Sequence, residues 1–259
     1  MRERLHAARS GVLDTPEMQR LSGVLDIQAA LSRIPARDEL LVERFKSREG
    51  HHFFIYPFEG RLVHEGLAAL FAYRLASSEP NTFSLAFNDY GIEMLSPRPA
   101  AFDSETAASL FSEENLVGDI LGSINSAEMA RRRFREIARV AGLTQEGVGK
   151  ARKSARQLQV SAGLLFDVFQ RYEPGNMLLG QATREVLESQ LERTRLVAGL
   201  RKMRASTLRI VELETFSPFS YPLFVEIFRE ESSSEELAAR VAGMQIAMEK
   251  AARKKSHAR

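Results

Sequence analysis

The stretch ELLVERFKSREGHHFFIYPFEG, residues 39–60, decides the fold because it holds two apolar runs on either side of a turn. Gly50 stands between the runs, and Pro57 follows the second one. Short runs of this kind separated by glycine are typical of paired strands, and proline cannot donate a hydrogen bond to a sheet. The sequence therefore predicts two strands joined through Gly50, with the second strand ending at Pro57.

The neighbouring segments predict helices and a second hairpin. Leucine and phenylalanine recur at helical spacing in RLVHEGLAALFAYRLASS, residues 61–78. The stretch TFSLAFNDYGIEMLS, residues 82–96, alternates and turns between Asn88 and Gly91, which is a hairpin signal. Upstream, Thr15 is placed to cap an amphipathic helix that begins with proline.

From about residue 104 the spacing is mainly helical. In NSAEMARRRFREIARVAG, residues 125–142, Asn125 and Glu128 form a capping-box pattern and Gly142 marks the helix end. One arc of this helix is apolar and is predicted to be buried: Ala130, Phe134, Ile137, Ala138 and Ala141. The adjoining arc is basic and carries Arg131, Arg132, Arg135 and Arg139.

A second capping pattern, Ser154 with Gln157, begins the next helix. Its buried stripe is predicted to be Leu158, Ala162, Leu165 and Phe169. One long helix is expected from about Asn176 to Met203. The stretch TLRIVELETFSPFSYPLFVEIF, residues 207–228, then predicts a last strand and an aromatic turn, and a final helix with a basic tail follows.

These elements predict an α+β fold. It consists of a small, mostly antiparallel sheet with a flanking helix, followed by a mainly helical region with a late strand that could join the sheet. Three parts are expected: an N-terminal helical segment at 1–35, a sheet-plus-helix part at 36–103, and a mainly helical part with a basic patch at 104–259. The break at PRPAAFD, residues 97–103, is weak, so the parts could form one continuous domain.

Composition favours a soluble protein of the cytoplasm. Hydrophobic residues make up 44% of the 259 residues and charged residues 27%, which is ordinary for a globular chain. The chain has no cysteine, which excludes disulfides and thiolate metal sites. No apolar run approaches the roughly 20 residues that cross a bilayer, and the start MRERLHAARSG lacks the apolar core of a signal peptide. We therefore expect no membrane contact.

Positive charge is concentrated in one segment although the net charge is only +2. Residues 131–156 contain nine Lys or Arg and two acids, a local excess of seven, so the remainder of the chain is about five units negative. Such a patch is the electrostatic feature expected of a protein that binds a phosphate backbone.

The segment GVGKARKSAR, residues 147–156, looks like a phosphate loop, but the spacing fails. If Lys150 is taken as the motif lysine, Thr144 stands at the first glycine position and Ala151 at the hydroxyl position. If Lys153 is taken instead, Arg152 replaces the second glycine. We therefore expect no nucleotide site here.

A second group of residues could suggest a metal hydrolase: His51, His52, His64, Glu65 and Asp89. Adjacent histidines on a strand point to opposite faces, and VHEGL lacks the second histidine of a zincin helix. No metal site and no catalytic residue is predicted in this chain.

Several blocks in succession resemble one family. They are REGHHFFIYPFEGRLVHEGLAALFAYRL, TFSLAFNDYGIEML, MARRRFREIARVAGL, KSARQLQVSAGLLFDVFQRYEPGNMLLGQATREVLESQLE and ELAARV. In this order they look like the C-terminal region of Lhr-type DNA helicases, most of all the bacterial branch called ligase-associated DEXH-box helicases. Family members tend to carry Pro-Gly in the loop where this chain has EGVGKARK.

The resemblance implies a large superfamily 2 helicase that moves 3′ to 5′ on single-stranded DNA and acts in DNA repair. In that family two RecA-like motor domains use ATP and Mg²⁺, and a winged helix and the C-terminal region follow them. The implied partners are single-stranded DNA or an RNA–DNA hybrid, the motor and winged-helix domains, and an ATP-dependent DNA ligase, a nuclease and a metallophosphoesterase of one pathway. This chain contains neither a phosphate loop nor a DEXH box, so we expect it to hold no cofactor and not to be catalytic alone.

Charge and shape then suggest the nucleic-acid-binding residues. The predicted set is Arg131, Arg132, Arg135, Arg139, Lys150, Arg152, Lys153, Ser154, Arg156 and Gln157. The alternative is a protein–protein interaction module, in which this basic surface docks an acidic face of a helicase motor or a repair partner.

Overall fold

A five-stranded sheet lies at the centre of the computed structural model, which describes residues 2–11, 15–143, 155–186, 192–228 and 234–257. The strands are β1 (Glu39–Lys46), β2 (His51–Ile55), β3 (Ser84–Phe87), β4 (Ile92–Ser96) and β5 (Thr207–Glu212). Their order is β3-β4-β2-β1-β5. All neighbouring strands are antiparallel except β1 and β5, which run parallel. The predicted α+β fold, including the late strand that joins the sheet, is confirmed.

The helices precede, interrupt and follow this sheet. They are α1 (Arg2–Arg9), α2 (Pro16–Arg20), α3 (Ser22–Leu31), α4 (Arg61–Ser78), α5 (Ser104–Leu110), α6 (Leu116–Gly122), α7 (Ile124–Val140), α8 (Ala155–Tyr172), α9 (Met177–Glu185), α10 (Arg193–Ala205), α11 (Tyr221–Phe228) and α12 (Ser234–His257). None of those in the described part of the chain has the length and apolarity that crossing a membrane requires.

The two predicted hairpins are confirmed. At the first, the Ser47 amide donates to the Gly50 carbonyl at 2.9 Å. Gly50 has a φ of +145°, and a Cβ there would lie 2.4 Å from the Ser96 carbonyl oxygen, so the turn requires glycine. At the second, the Asn88 side-chain oxygen accepts from the amides of Tyr90 and Gly91.

The sheet buries both faces, because alternate residues of β1 and β2 enter different cores. Leu40 and Val42 face α4 and the helices α5 to α10, whereas Leu41 and Phe54 face α3, α11 and α12. The larger core extends from the sheet through Phe102, which is 1% exposed, to the late helices. The division of the chain at residues 35 and 103 stays a prediction.

Two helix boundaries differ from the sequence prediction. The expected long helix is wrong, because α9 ends at Glu185 and α10 starts at Arg193 after Glu192, whose left-handed φ of +43° cannot continue a helix. Asn125 is not a cap, because the extended Ser123 precedes a helix that already begins at Ile124.

Other predicted ends agree with the structure. Thr15 accepts a hydrogen bond from the Met18 amide and caps α2. Gly142 ends α7 with a φ of +73°, while the amide of Leu143 donates back to the carbonyl of Ala138 at 2.9 Å.

Candidate nucleic-acid interface

Helix α7 presents the predicted arginines because its apolar arc is buried. Ala130, Phe134, Ile137 and Ala138 are all buried, while Ala141 beyond the helix end is exposed, contrary to the prediction. The Phe134 ring lies 5.5 Å from that of Phe166 and 6.0 Å from that of Phe169 on α8. These ring contacts fix the rotation of α7 and so determine which arginines reach solvent.

Arg131 is engaged by α8. Its Nη2 donates to Asp167 Oδ2 at 2.7 Å, and the guanidinium lies over Gly163, where a Cβ would meet Nη2 at 3.2 Å. Both partners of the ion pair are about half exposed, so the pair itself adds little stability. Arg131 therefore joins the two helices and is only partly available to a ligand.

Arg135 and Arg139 are differently placed. They follow Arg131 at intervals of four residues, about 6 Å along the helix axis, on the same flank of α7. Neither guanidinium forms a hydrogen bond or ion pair with any residue that the structure describes. Arg139 is exposed and Arg135 half-buried. These two side chains keep their donors available for an anion.

Arg132 is exposed and lies on the side of α4. Burial raises the pKa of Glu65 on α4, and the positive charges of Arg61 and Arg132 oppose that rise. The charge of Arg132 therefore interacts with Glu65 within the fold.

Arg133, which the sequence reasoning left out, holds α7 to α9. Its Nη1 donates to Glu136 Oε2 at 2.6 Å, and its Nε lies 3.2 Å from Glu185 Oε2. Arg133 and Arg135 are two residues apart, and residues at that spacing point to different sides of a helix. Arg133 therefore lies on the opposite flank of α7 from Arg135. No local pattern identifies the partner Glu185, which is far along the chain.

The remaining predicted residues are not placed by the structure. Lys150, Arg152, Lys153 and Ser154 lie outside the described residues. Arg156 and Gln157 belong to α8, but their side chains lie outside the described set, as does that of Leu158. Helix α8 begins at Ala155, directly after the predicted cap. Of the predicted stripe, Ala162 is buried and Leu165 and Phe169 are half-buried, while the buried Phe166 was missed.

The solvent side of α8 carries an apolar stripe that the sequence reasoning also missed. Leu164, Val168 and Tyr172, spaced four residues apart, are 60%, 47% and 71% exposed. The guanidinium carbon of Arg171 lies 5.6 Å from the centroid of the Tyr172 ring. The four-residue spacing of these three apolar residues in the sequence indicates such a stripe. We call Leu164, Val168 and Tyr172 the α8 stripe.

The histidines take part in hydrogen bonds within the fold. His64 Nδ1 lies 2.6 Å from the Asn88 carbonyl, and its Nε2 accepts from the Glu59 amide at 3.0 Å. Burial lowers the pKa of His64, although the Asn88 carbonyl opposes that effect. His52 is buried between Ser47 and Glu93. Across the described ranges no three His, Asp or Glu side chains are grouped so that they could hold a metal ion.

Comparison with known proteins gives the family. Residues 34–220 match the family described as DEAD/H associated. This chain belongs to the DEAD/H associated family. The matched range contains the whole sheet and helices α4 to α10, and it leaves out α1 to α3, α11 and α12.

The relatives of this DEAD/H associated chain are helicases. It is 26% identical over 213 residues to the ATP-dependent helicase Lhr-Core protein 2 of Thermococcus barophilus, and 23% identical over 213 residues to the ATP-dependent helicase Lhr-Core of Methanocaldococcus jannaschii. Each match covers 82% of this chain and 25% of the relative. The chain thus spans about a quarter of the length of these relatives.

A solved structure has the same fold. The Mycobacterium smegmatis helicase Lhr bound to ssDNA and AMP-PNP matches with a TM-score of 0.64 and 26% identity, covering 80% of this chain and 27% of that one. The DEAD/H associated chain is therefore an Lhr-type helicase region, as the resemblance implied.

Proposed function

We propose that this chain is the non-motor C-terminal region of an Lhr-like ATP-dependent 3′–5′ DNA helicase and that it binds and tracks single-stranded DNA. The observation that carries the proposal is the pair Arg135 and Arg139, whose guanidinium groups have no partner among the described residues. Support comes from a structurally similar helicase that was solved with ssDNA.

The α7 flank suits a phosphate backbone physically. Guanidinium groups bind phosphate through charge-assisted hydrogen bonds, and Arg135 and Arg139 recur at about 6 Å along one helix face. The predicted basic residues of the following segment, Lys150 to Arg156, extend this line of charge in sequence. Arg131 sits at the other end, partly neutralised by Asp167. A strand on this flank would meet its strongest attraction at Arg135 and Arg139.

The wider setting is also part of the proposal. ATP and Mg²⁺ would be used by motor domains outside this chain, and the winged helix would be its neighbour. The relatives named ATP-dependent helicases are about three times as long as this chain, because the same 213 residues are 82% of this chain and 25% of each relative, which leaves room for such domains. Membership of the ligase-associated DEXH-box branch, action on RNA–DNA hybrids, a cytoplasmic role in DNA repair, and cooperation with a ligase, a nuclease and a metallophosphoesterase rest on the sequence resemblance.

The test is fluorescence polarisation of the full 259-residue chain with labelled single-stranded DNA across a salt series. We expect Arg135→Glu with Arg139→Glu to weaken binding strongly. The slope of log affinity against log salt should fall by about 1.4, because each phosphate contact on a single strand contributes about 0.7. Arg48→Glu with Arg98→Glu, at exposed positions on the loops after β1 and β4, reverses the same number of charges and should leave affinity and slope nearly unchanged.

Two results would contradict the proposal. One is a chain that shows no salt-dependent binding. The other is equal loss in the Arg48 and Arg98 control and in the Arg135 and Arg139 variant, which would indicate a general charge effect.

The α8 stripe supports a second candidate, a protein-docking role for that face. Leu164, Val168 and Tyr172 are apolar, and their exposed neighbours Asp167 and Arg171 have opposite charges. A mixed rim around an apolar centre is typical of protein interfaces rather than of polyanion sites. In the same polarisation assay, Leu164→Ser with Val168→Ser should leave DNA affinity unchanged if this face docks protein.

A further inference from the structure

A second cluster of arginines lies where β1 and β5 begin. Glu39, the first residue of β1, is 7% exposed and is surrounded by Arg9 from α1, Arg33 from the segment after α3, and Arg209 from β5. Only a fold that brings these distant segments together creates this cluster.

Both carboxylate oxygens of Glu39 accept hydrogen bonds. Its Oε2 accepts from the Ala36 amide at 2.9 Å and from Arg9 Nη1 at 3.2 Å, and its Oε1 accepts from Arg209 Nε at 2.8 Å. Burial acts to raise the pKa of Glu39, but the Ala36 amide and the three arginines outweigh it and hold that pKa below its usual value. Glu39 is therefore ionised at neutral pH and neutralises one of the three positive charges.

Arg33 has no comparable role. Its Nη2 lies 3.9 Å from Glu39 Oε1, which is beyond hydrogen-bond reach, and its buried Nε has no hydrogen bond to any described residue. Its whole guanidinium group thus makes no hydrogen bond within the described chain, yet the side chain is 36% exposed. Each guanidinium carries five N–H donors, and Arg9 and Arg209 each give one donor to Glu39. Hydrogen bonding to Glu39 accounts for Arg9 and Arg209, whereas Arg33 acts on Glu39 through its charge alone.

A cavity of about 510 Å³ opens beside these donors. Arg9 and Arg33 line it, and Ala29, Ile34 and Val211 supply apolar walls. Asp26, which is exposed, also lines the cavity and offsets one charge. Arg9 and Arg33 against Asp26 leave the cavity lining with an excess of one positive charge. The volume falls within the range of about 300–1,000 Å³ that is usual for small-molecule sites.

We propose that this cavity is a binding site for a phosphate group, held by the guanidinium of Arg33, which makes no hydrogen bond to a described residue, together with the spare donors of Arg9, the other arginine that lines it. Planar guanidinium groups match the oxygens of phosphate in pairs, which explains why arginines rather than lysines converge here. The apolar walls accommodate the organic part of a phosphate ester. The site does not depend on strand binding by α7, since it uses none of the same residues.

The test is isothermal titration of the full chain with inorganic phosphate against chloride at constant ionic strength. We expect Arg33→Ala to weaken phosphate binding about tenfold, the equivalent of one lost charge-assisted hydrogen bond. Arg37→Ala is the matched control: Arg37 is 72% exposed, close in sequence, and paired with Glu3 at 3.3 Å outside the cavity lining. Arg37→Ala should bind phosphate like the wild type.

Arg33→Lys keeps the charge and separates folding from binding. Its thermal midpoint without phosphate should match that of the wild type, because Arg33 makes no hydrogen bond to lose, while phosphate affinity should still fall since lysine lacks the forked donors. The proposal is overturned if wild type and Arg33→Ala bind phosphate equally, or if phosphate binds no better than chloride. The same titration with three further ligands identifies the source of the phosphate: adenosine monophosphate, a 5′-phosphorylated oligonucleotide and its 5′-hydroxyl form. Tighter binding of adenosine monophosphate than of inorganic phosphate indicates a small phosphate ester. Tighter binding of the 5′-phosphorylated oligonucleotide than of its 5′-hydroxyl form indicates a nucleic-acid end.

Discussion

At the scale of single residues, Glu93 is a buried acid whose protonation should influence stability. It lies on β4 with no exposed surface, its Oε1 lies 2.6 Å from His52 Nδ1, and its Oε2 has no hydrogen-bond partner in the described part of the chain. Burial raises the pKa of Glu93 well above its usual value. The folded protein therefore binds this proton more tightly than the unfolded chain does.

The raised pKa of Glu93 should make the stability of the fold depend on pH. Because the folded state holds more protons at this site, its contribution to the free energy of unfolding falls as pH rises through the folded pKa. The fall amounts to about 1.4 kcal/mol for each unit by which that pKa exceeds the unfolded value. The contribution of His64 changes in the opposite direction. Because the pKa of His64 is lowered in the folded state, the free energy of unfolding rises with pH around the unfolded pKa of His64. Urea unfolding between pH 5 and 8 should therefore show that wild type loses stability relative to Glu93→Gln as pH rises. Glu249→Gln, at an exposed position on α12, should run parallel to wild type. A pH-independent difference between wild type and Glu93→Gln would contradict this reading.

At the scale of elements, the contact between α6 and α4 depends on one missing side chain. Gly122 ends α6, and a Cβ there would lie 2.7 Å from Tyr73 Oη and Cζ on α4. Because these contacts are closer than a Cβ allows, the half-buried Tyr73 ring must leave its place or the two helices must separate. Because α7 begins two residues after Gly122, this contact also sets where the arginine helix starts.

We expect Gly122→Ala to reduce the free energy of unfolding by about 1–3 kcal/mol. Gly23→Ala is the control, because Gly23 is also helical but has no atom within 4 Å of the added Cβ. Helix propensity alone predicts that this control gains up to about 1 kcal/mol. Chemical denaturation should show that the free energy of unfolding falls in Gly122→Ala and rises in Gly23→Ala. A stabilising effect at both positions would mean that Tyr73 yields without cost.

At the scale of the whole molecule, the parts that sequence could predict are those whose signals are local. The hairpin at Gly50 follows from alternation and a turn residue, and the buried arc of α7 follows from helical period. Charge density pointed to the α7 arginines, but not to which of them are free, since Arg131 is paired to Asp167 on the next helix. That assignment depends on how two helices cross, which no local pattern records.

The cluster around Glu39 shows the same limit more strongly. Arg209 is 170 positions from Glu39, and the contact exists because β5 pairs in parallel with β1. No repeat or motif in the sequence predicts this contact, because each arginine taken alone is typical of a surface residue. Helix α12 is another long-range element, for its role emerges only from the second sheet face that it covers.

Helix α12 covers that second face and should therefore stabilise the whole fold. Met248 on α12 is 7% exposed and packs in the same core as Leu31 and Phe54, whereas Ile246, two residues earlier, is 67% exposed. Removing a buried methionine side chain leaves a cavity and costs about 2–5 kcal/mol, so Met248→Ala should lower the thermal midpoint clearly. Ile246→Ala removes a side chain of similar size from solvent and should change it little. Both variants lie outside the residues that match the DEAD/H associated family, so a large effect of Met248→Ala shows that segments beyond the shared region hold the sheet together. Equal midpoints for the two variants would instead mean that α12 leaves the sheet before the core unfolds.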